Sequence, residues 1–230
     1  MTLTYDIQTA FSENATASAS VTSSPSVWRK PIIRPSTRKQ LFDYCFAALV
    51  IIFILSWFVP LMALLIKLES KGPVFFKQLR TGQGGHPFYC LKFRSMTLNS
   101  EADSQQARKG DNRITKLGAF LRQTSLDELP QFINVLRGEM SIVGPRPHML
   151  HHTAEYSQAI PHFMDRLQIL PGITGLAQIS GYRGETKEVT AMENRVNADI
   201  HYINNRSAQM DLKIIALTVA QVIKKDCSVF

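Results

Sequence analysis

The chain has 230 residues, 45% of them hydrophobic, which is enough for one packed domain with an accessory segment and too few for two full domains. Its 26 basic against 18 acidic residues, a formal charge of +8, direct it toward anionic partners: nucleic acid, anionic lipid or phosphorylated metabolites. Three widely spaced cysteines, Cys45, Cys90 and Cys227, with no CxxC pair, argue against a zinc or redox motif and fit reduced thiols inside a cell.

Residues 1 to 28 are rich in Ser, Thr and Ala and lack the basic start and apolar core of a secretory signal, so the catalytic part is expected to stay inside. With Pro31 and Pro35 near its end, the stretch 1–37 offers too little apolar surface to offset ordering entropy and is expected as a flexible tail. Cys45 to Ile66 then runs uncharged, apolar around its whole circumference and bracketed by Lys39 and Lys67. It exceeds the ~20 residues that cross a hydrocarbon core, so residues 38–68 are expected as a membrane-anchoring helix rather than a buried core helix. Basic residues flank both ends, and the positive-inside bias therefore has no winner. Pro60 removes one backbone hydrogen bond and crowds the preceding turn, which predicts a kink; from the residues alone, spanning and re-entrant courses both stand.

Residues 69–230 are expected as the cytoplasmic catalytic domain. Two β-prone runs, PVFFKQLR and FYCLKFR, separated by the turn-rich TGQGGHP, predict a β-hairpin; without GxxxxGK[ST] the glycines mark a turn and not a phosphate loop. Lys92 and Arg94 would close the hairpin with two cations on one strand face, as a phosphate contact or an exposed edge. Residues 97–112 are polar and predict a solvated loop or short helix. Ile114, Leu117 and Leu121 have helical spacing, and a second helix is expected from about Pro130 to Arg137. Gly138–Pro147 and Pro171–Gly184 read as structured loops, followed by helices over about Lys187–Asn204 and Ala208–Lys225. The last of these could lie in the headgroup plane or pack into the core. The predicted class is α+β, mainly helical, with a small hairpin.

Leu121 to Pro147 carries the most chemistry. Asp127 and Glu128 stand side by side before a helix, among Arg122, Arg137 and Arg146. Ser125-x-x-Glu128 is also a capping-box pattern, so helix capping competes with catalysis as the reason for the pair. If Pro130 begins the helix, both carboxylates lie just outside it, where the positive helix end would keep them ionised and facing solvent. An ionised aspartate can attack phosphorus, while arginines and a divalent cation neutralise phosphate oxygens. Arg122 and Arg146, the latter in a Gly-Pro-Arg-Pro turn, could each present a guanidinium to phosphate. Neighbouring His151 and His152 have no HExxH partner, and side chains of adjacent helical residues point apart.

In order along the chain stand KQLFD, GPVFFKQLRTG, FYCLKFRSM, ITKLGAFLRQTSLDELPQFINVLRGEMSIVGPRP and PGITGLAQISGYRGET. Over Lys39 to Lys225 this series resembles the bacterial sugar transferase family, the monotopic phosphoglycosyl transferases that load a sugar phosphate onto undecaprenyl phosphate for exopolysaccharide, O-antigen or glycan assembly. The resemblance implies a re-entrant membrane helix broken at Pro60, and an Asp127–Glu128 dyad with Asp127 as nucleophile and both carboxylates at Mg²⁺. It also implies phosphate binding by Lys92, Arg122 and Arg146, a covalent sugar-phosphate intermediate, and UMP as first product. The partners implied are a UDP-sugar, undecaprenyl phosphate and membrane lipid at the bacterial inner membrane; a homo-oligomer is left open. The GYRGET and MENRVNADIHYI stretches look more like members using UDP-glucose, with galactose second. Lys39-Gln40, Val59 and Leu176 depart from the family's usual Lys-Arg, Ser and Trp; none touches the dyad.

Two other classes compete. A non-catalytic membrane scaffold, with the acidic pair merely capping a helix, predicts a silent Asp127→Asn. Nucleic-acid binding is disfavoured because the basic residues are dispersed, no DNA-binding motif is present, and the membrane segment would have no role. A CDP-alcohol phosphotransferase would need several spanning helices where one is found.

Overall fold

The computed structural model describes residues 30–97, 111–182 and 189–224. The expected tail up to residue 29, most of the expected polar loop 97–112, and the Arg183–Thr186 part of GYRGET lie outside them. The architecture is α+β and mainly helical. Its first helix, α1 (Thr37–Glu69), is 33 residues long and, by length and composition only, apolar enough to cross a membrane; 22% of its most apolar window is buried. Asp43, Ala47, Leu55, Phe58, Met62 and Ile66 form its buried stripe, while Leu49, Phe53, Trp57, Leu64 and Leu68 face outward. The rest of the chain folds along that stripe. Phe46 stacks on Phe132 and Phe58 meets Phe93 edge-on, at centroid separations of 6.2 and 5.8 Å.

Pro60 lies inside α1, where it has no amide to donate, and a second departure from regular α-helical hydrogen bonding precedes it, a π-helical turn over Ile51–Leu55. There the Ser56 amide donates to Ile51 O, one residue beyond its α-helical acceptor Ile52 O. Two side chains also donate to carbonyls of this turn, Ser56 Oγ to Ile52 O at 2.6 Å and Trp57 Nε1 to Phe53 O at 2.9 Å. In an apolar surrounding, each carbonyl left bare would cost several kcal/mol on the order given by transfer energies.

The hairpin forms where expected: β1 (Phe75–Thr81) pairs antiparallel with β2 (Pro87–Phe93), Gln78 opposite Cys90. Next come α2 (Lys116–Gln123), a 3₁₀ turn at Leu126–Glu128, and α3 (Gln131–Leu136). Thr115 Oγ1 accepts the Gly118 amide, and the Glu69 carboxylate, last residue of α1, accepts the Leu117 amide at 3.1 Å. A Cβ at Gly118 would stand 1.9 Å from Ser95 O, so α2 can approach the end of the hairpin only with glycine there.

The two Gly/Pro segments expected as loops contain a second sheet. β3 (Ser141–Val143) and β4 (Gly172–Thr174) pair in parallel, Ser141 beside Gly172 and Val143 beside Thr174. A three-residue strand of this kind has no legible alternation, which is why sequence pattern missed it. The glycines permit backbone-to-backbone contact: a Cβ at Gly172 would lie 2.1 Å from Gly144 N. Between the strands runs α4 (Leu150–Ala159), whose sequence, LHHTAEYSQA, is half polar. After α5 (Leu176–Ile179), the C-terminal helices are α6 (Val189–Asn205) and α7 (Ala208–Ile223). α7 buries Asp211 and Ile214 while exposing Leu212, Val219 and Ile223, so it packs on one side and leaves an apolar face on the other.

Candidate functional site

The carboxylate pair sits where α2 hands over to α3. Thr124 ends α2 by donating its hydroxyl to Phe120 O, and Ser125 adopts a left-handed conformation with φ of 57°. That reversal turns Leu126–Glu128 inward beneath β2. The capping box does not form: Ser125 makes no capping hydrogen bond through its side chain. Contrary to the expectation of carboxylates turned to solvent, Asp127 and Glu128 are each only 7% exposed.

Glu128 is clamped by two cations. Its Oε1 accepts from Lys92 Nζ at 2.7 Å and from Arg146 at 2.6 Å, and its Oε2 accepts from Arg146 at 3.2 Å. The bidentate arginine fixes the carboxylate plane. Burial pushes the Glu128 carboxyl upward, but Arg146 and Lys92 outweigh it and hold the group well below the ordinary glutamate range. Glu128 in turn keeps Arg146 protonated beyond the usual arginine range.

Asp127 differs. It accepts no hydrogen bond and forms no close ion pair among the described residues, although Lys92, Arg122 and Arg146 all act on it electrostatically. Burial raises its pKa, the nearby cations lower it and Glu128 raises it again, with a net upward shift. An aspartate without a hydrogen-bonded partner, in the field of three cations, retains lone pairs for a reacting atom or a metal.

Of the sequence-predicted residues, Lys92, Arg122, Asp127, Glu128 and Arg146 are thus brought together. Arg122 stands at the edge, donating to Ser95 Oγ at 3.3 Å, its charge opposed by burial and favoured by Asp127 and Glu128. Arg94 is a correction. It does not share an open face with Lys92; its guanidinium donates to Ser70 O and Lys71 O at 2.7 and 2.6 Å, tying down the chain just past α1. His151 and His152, expected to point apart, meet with ring centroids 4.2 Å apart on α4. Among the described residues no group of three or more His, Cys, Asp or Glu is arranged to hold a metal ion.

Sequence reading missed the residues that position Arg146. Arg80 donates to Pro147 O at 2.6 Å, and Arg166 donates to Arg146 O at 2.9 Å while pairing with Asp199 at 2.5 Å. Arg166 also contacts His148, whose ring burial and cationic neighbours keep neutral. The Gly-Pro-Arg-Pro turn is therefore gripped at two consecutive carbonyls. Asn134 does the same for Lys92: from α3 it accepts the Leu91 amide at 3.0 Å and donates to Tyr89 O at 2.8 Å, locking β2 over the dyad. Arg80 within the QLRTG stretch was the one legible signal; Asn134, Arg166 and Asp199 had none.

A carboxylate without a hydrogen bond beside one clamped by two cations thus defines the candidate site. The chain belongs to the bacterial sugar transferase family, whose model matches residues 34–225. It is 51% identical over 169 residues to a UDP-glucose:undecaprenyl-phosphate glucose-1-phosphate transferase from Xanthomonas campestris pv. campestris, covering 71% of this chain and 35% of that protein. Identity is 47% over 200 residues to a transferase of the same description from Caulobacter vibrioides, covering 85% and 73% respectively. A UDP-N-acetylgalactosamine-undecaprenyl-phosphate N-acetylgalactosaminephosphotransferase from Aeromonas hydrophila is 42% identical over 171 residues, covering 72% of this chain and 40% of the relative. The chain thus spans about a third of the length of the Xanthomonas relative and about three quarters of the Caulobacter one.

Proposed function

We propose that this chain transfers a hexose 1-phosphate, with glucose as the sugar, from a UDP-sugar to undecaprenyl phosphate and releases UMP. The observation that carries the proposal is the Asp127 carboxylate without a hydrogen bond, next to a Glu128 that Lys92 and Arg146 already neutralise, with Lys92, Arg122 and Arg146 all acting on it electrostatically. An Asp127 oxygen attacks the phosphorus that bears the sugar, the bond from that phosphorus to the UMP oxygen breaks, and UMP leaves. The sugar phosphate then rests on Asp127 as an acyl phosphate. A phosphate oxygen of the polyprenyl acceptor attacks the same phosphorus, the acyl bond breaks, and the Asp127 carboxylate returns. Lys92, Arg122 and Arg146 neutralise the phosphate oxygens in both steps.

Mg²⁺ fits the donor set in part. Mg²⁺ takes one or two carboxylates and fills its remaining positions with phosphate oxygens and water; Asp127 has free lone pairs to give, whereas Glu128 would have to loosen its contact with Lys92 or Arg146. When bound, the ion would supply charge neutralisation for the diphosphate.

The same reading seats α1 in the inner bacterial membrane with the catalytic domain on the cytoplasmic face. Two polar anchorages support a re-entrant course broken near Pro60. Near the start of α1, Asp43 accepts Ser141 Oγ at 2.7 Å; at its end, Glu69 and the carbonyls beyond it are held by α2 and Arg94. Both ends are thereby tied to one water-facing domain, which a straight crossing would separate by about 30 Å of hydrocarbon.

The test incubates the detergent-solubilised chain with UDP-glucose, undecaprenyl phosphate and Mg²⁺, following UMP release and labelled lipid beside Asp127→Asn. Without acceptor, intact mass should show one added hexose phosphate on the native chain and none on the variant. If no UDP-sugar yields labelled lipid, the transferase reading fails; if the variant turns over fully, Asp127 is not the nucleophile.

A further inference from the structure

Away from the carboxylate pair, a cavity of about 490 Å³ opens between the starts of α1 and α7 and strand β3. That volume falls within the range of small-molecule pockets, and none of Lys92, Arg122, Asp127, Glu128 or Arg146 lines it. Its floor is apolar, with Phe42, Val143, Ile169 and Leu212 among the lining residues. Its interior holds one cation against two carboxylates: Lys39 Nζ lies 2.7 Å from Asp43 and 3.2 Å from Asp211, and the Tyr202 hydroxyl donates to Asp211 at 2.6 Å, so one negative charge is left over and the three rim arginines exceed it by two.

The rim is not balanced. Arg34, Arg38 and Arg206 all line the cavity; Arg206 donates to Ile203 O, while the guanidinium groups of Arg34 and Arg38 make no hydrogen bond or ion pair among the described residues. The capping residues of two long helices, Ser36 of α1 and Ser207 of α7, also line it, so two positive helix ends add to the same field. Leu212, one of the lining residues on α7, is 56% exposed. Surplus positive charge over an apolar floor, opening beside apolar surface, matches a molecule with an anionic head and a fatty chain.

We infer that this cavity seats one anionic phospholipid, its phosphate at Arg34 and Arg38 and an acyl chain over Phe42 and Leu212. The polyprenyl acceptor is not the occupant, because its phosphate must reach Asp127, and no residue of the carboxylate site faces this space. The inference rests on the membrane seating of α1 proposed above, but its assay reads lipid retention in detergent and makes no use of transfer activity.

The experiment is native mass spectrometry of the full chain in neutral detergent with equal dioleoylphosphatidylglycerol and dioleoylphosphatidylcholine, then with undecaprenyl phosphate as competitor. One phosphatidylglycerol should be retained over phosphatidylcholine. The Arg34→Gln/Arg38→Gln pair should weaken it about thirtyfold, at about 1 kcal/mol for each basic residue near a lipid surface. Ala208→Phe narrows the cavity while keeping every charge, and should also weaken it. Equal retention of the two lipids, a loss in the arginine pair but none in Ala208→Phe, or displacement by undecaprenyl phosphate would each overturn the assignment. Vesicle flotation of the same chain reports separately on the seating of α1.

Discussion

Replacing Arg146 with Gln removes contacts of 2.6 and 3.2 Å to Glu128 and leaves a carboxylate of 9% side-chain exposure with Lys92 as its close cation. Breaking a buried pair costs ~3–5 kcal/mol when the survivor is stranded. Lys92 remains at 2.7 Å, so roughly half of that, about 2 kcal/mol, is expected here. For a chain of this size the melting temperature should fall by ~4–8 °C. Activity should fall further, because a preorganised charge facing a transferring phosphoryl group is worth roughly 10²–10³-fold. Thermal melts and kcat/KM from UMP release would be compared for the native chain, Arg146→Gln, Glu128→Gln and the double variant. The double variant leaves no stranded carboxylate and should recover most of the lost stability but none of the activity. A kcat/KM within about threefold of native in Arg146→Gln, or recovered activity in the double variant, would show that the clamp is only structural.

The upward-shifted Asp127 carboxyl predicts that kcat/KM falls with decreasing pH through a value above the ordinary 3.8, and Lys92→Gln, which removes a lowering charge, should move that limb to higher pH. A limb that stays fixed in Lys92→Gln argues against Asp127 as the titrating group. Because its folded pKa is raised, the stability linked to Asp127 is fully present below about 3.8 and lost as pH rises through the folded value. At neutral pH, Asp127→Asn should therefore melt higher than the native chain while losing transfer, and a lower melt would contradict the burial argument. Arg94→Met removes two charge-assisted bonds to Ser70 O and Lys71 O and should cost ~2–4 kcal/mol in denaturant unfolding, with the retained fold checked by circular dichroism. Gly172→Ala sets a methyl 2.1 Å from Gly144 N and should prevent soluble folding, whereas Gly85→Ala, with nothing within 4 Å of its Cβ, should cost only ~1 kcal/mol for its positive φ.

Local chemistry by itself determined a great deal. The hydrophobic run of α1, the hairpin around TGQGGHP and the two C-terminal helices are readable because each has its own period or length, and such signals survive without knowledge of neighbours. The cluster Arg122, Asp127, Glu128 and Arg146 was legible because four charged residues fall within one short stretch, and Lys92 because it belongs to a neighbouring motif.

What tertiary structure decided is the division of labour within that cluster. Asp127 and Glu128 are neighbours with similar side chains, and nothing in their order says that Glu128 is taken by Lys92 and Arg146 while Asp127 is left without a hydrogen bond. That follows from the left-handed turn at Ser125 and from Asn134 locking β2 above it. Arg94 shows the same limit from the other side: its sequence position matches a phosphate contact, yet the carbonyls beyond α1 claim it. The parallel pairing of Ser141–Val143 with Gly172–Thr174 was illegible because its partners lie far apart along the chain, and contact between distant backbones leaves no periodic trace in either.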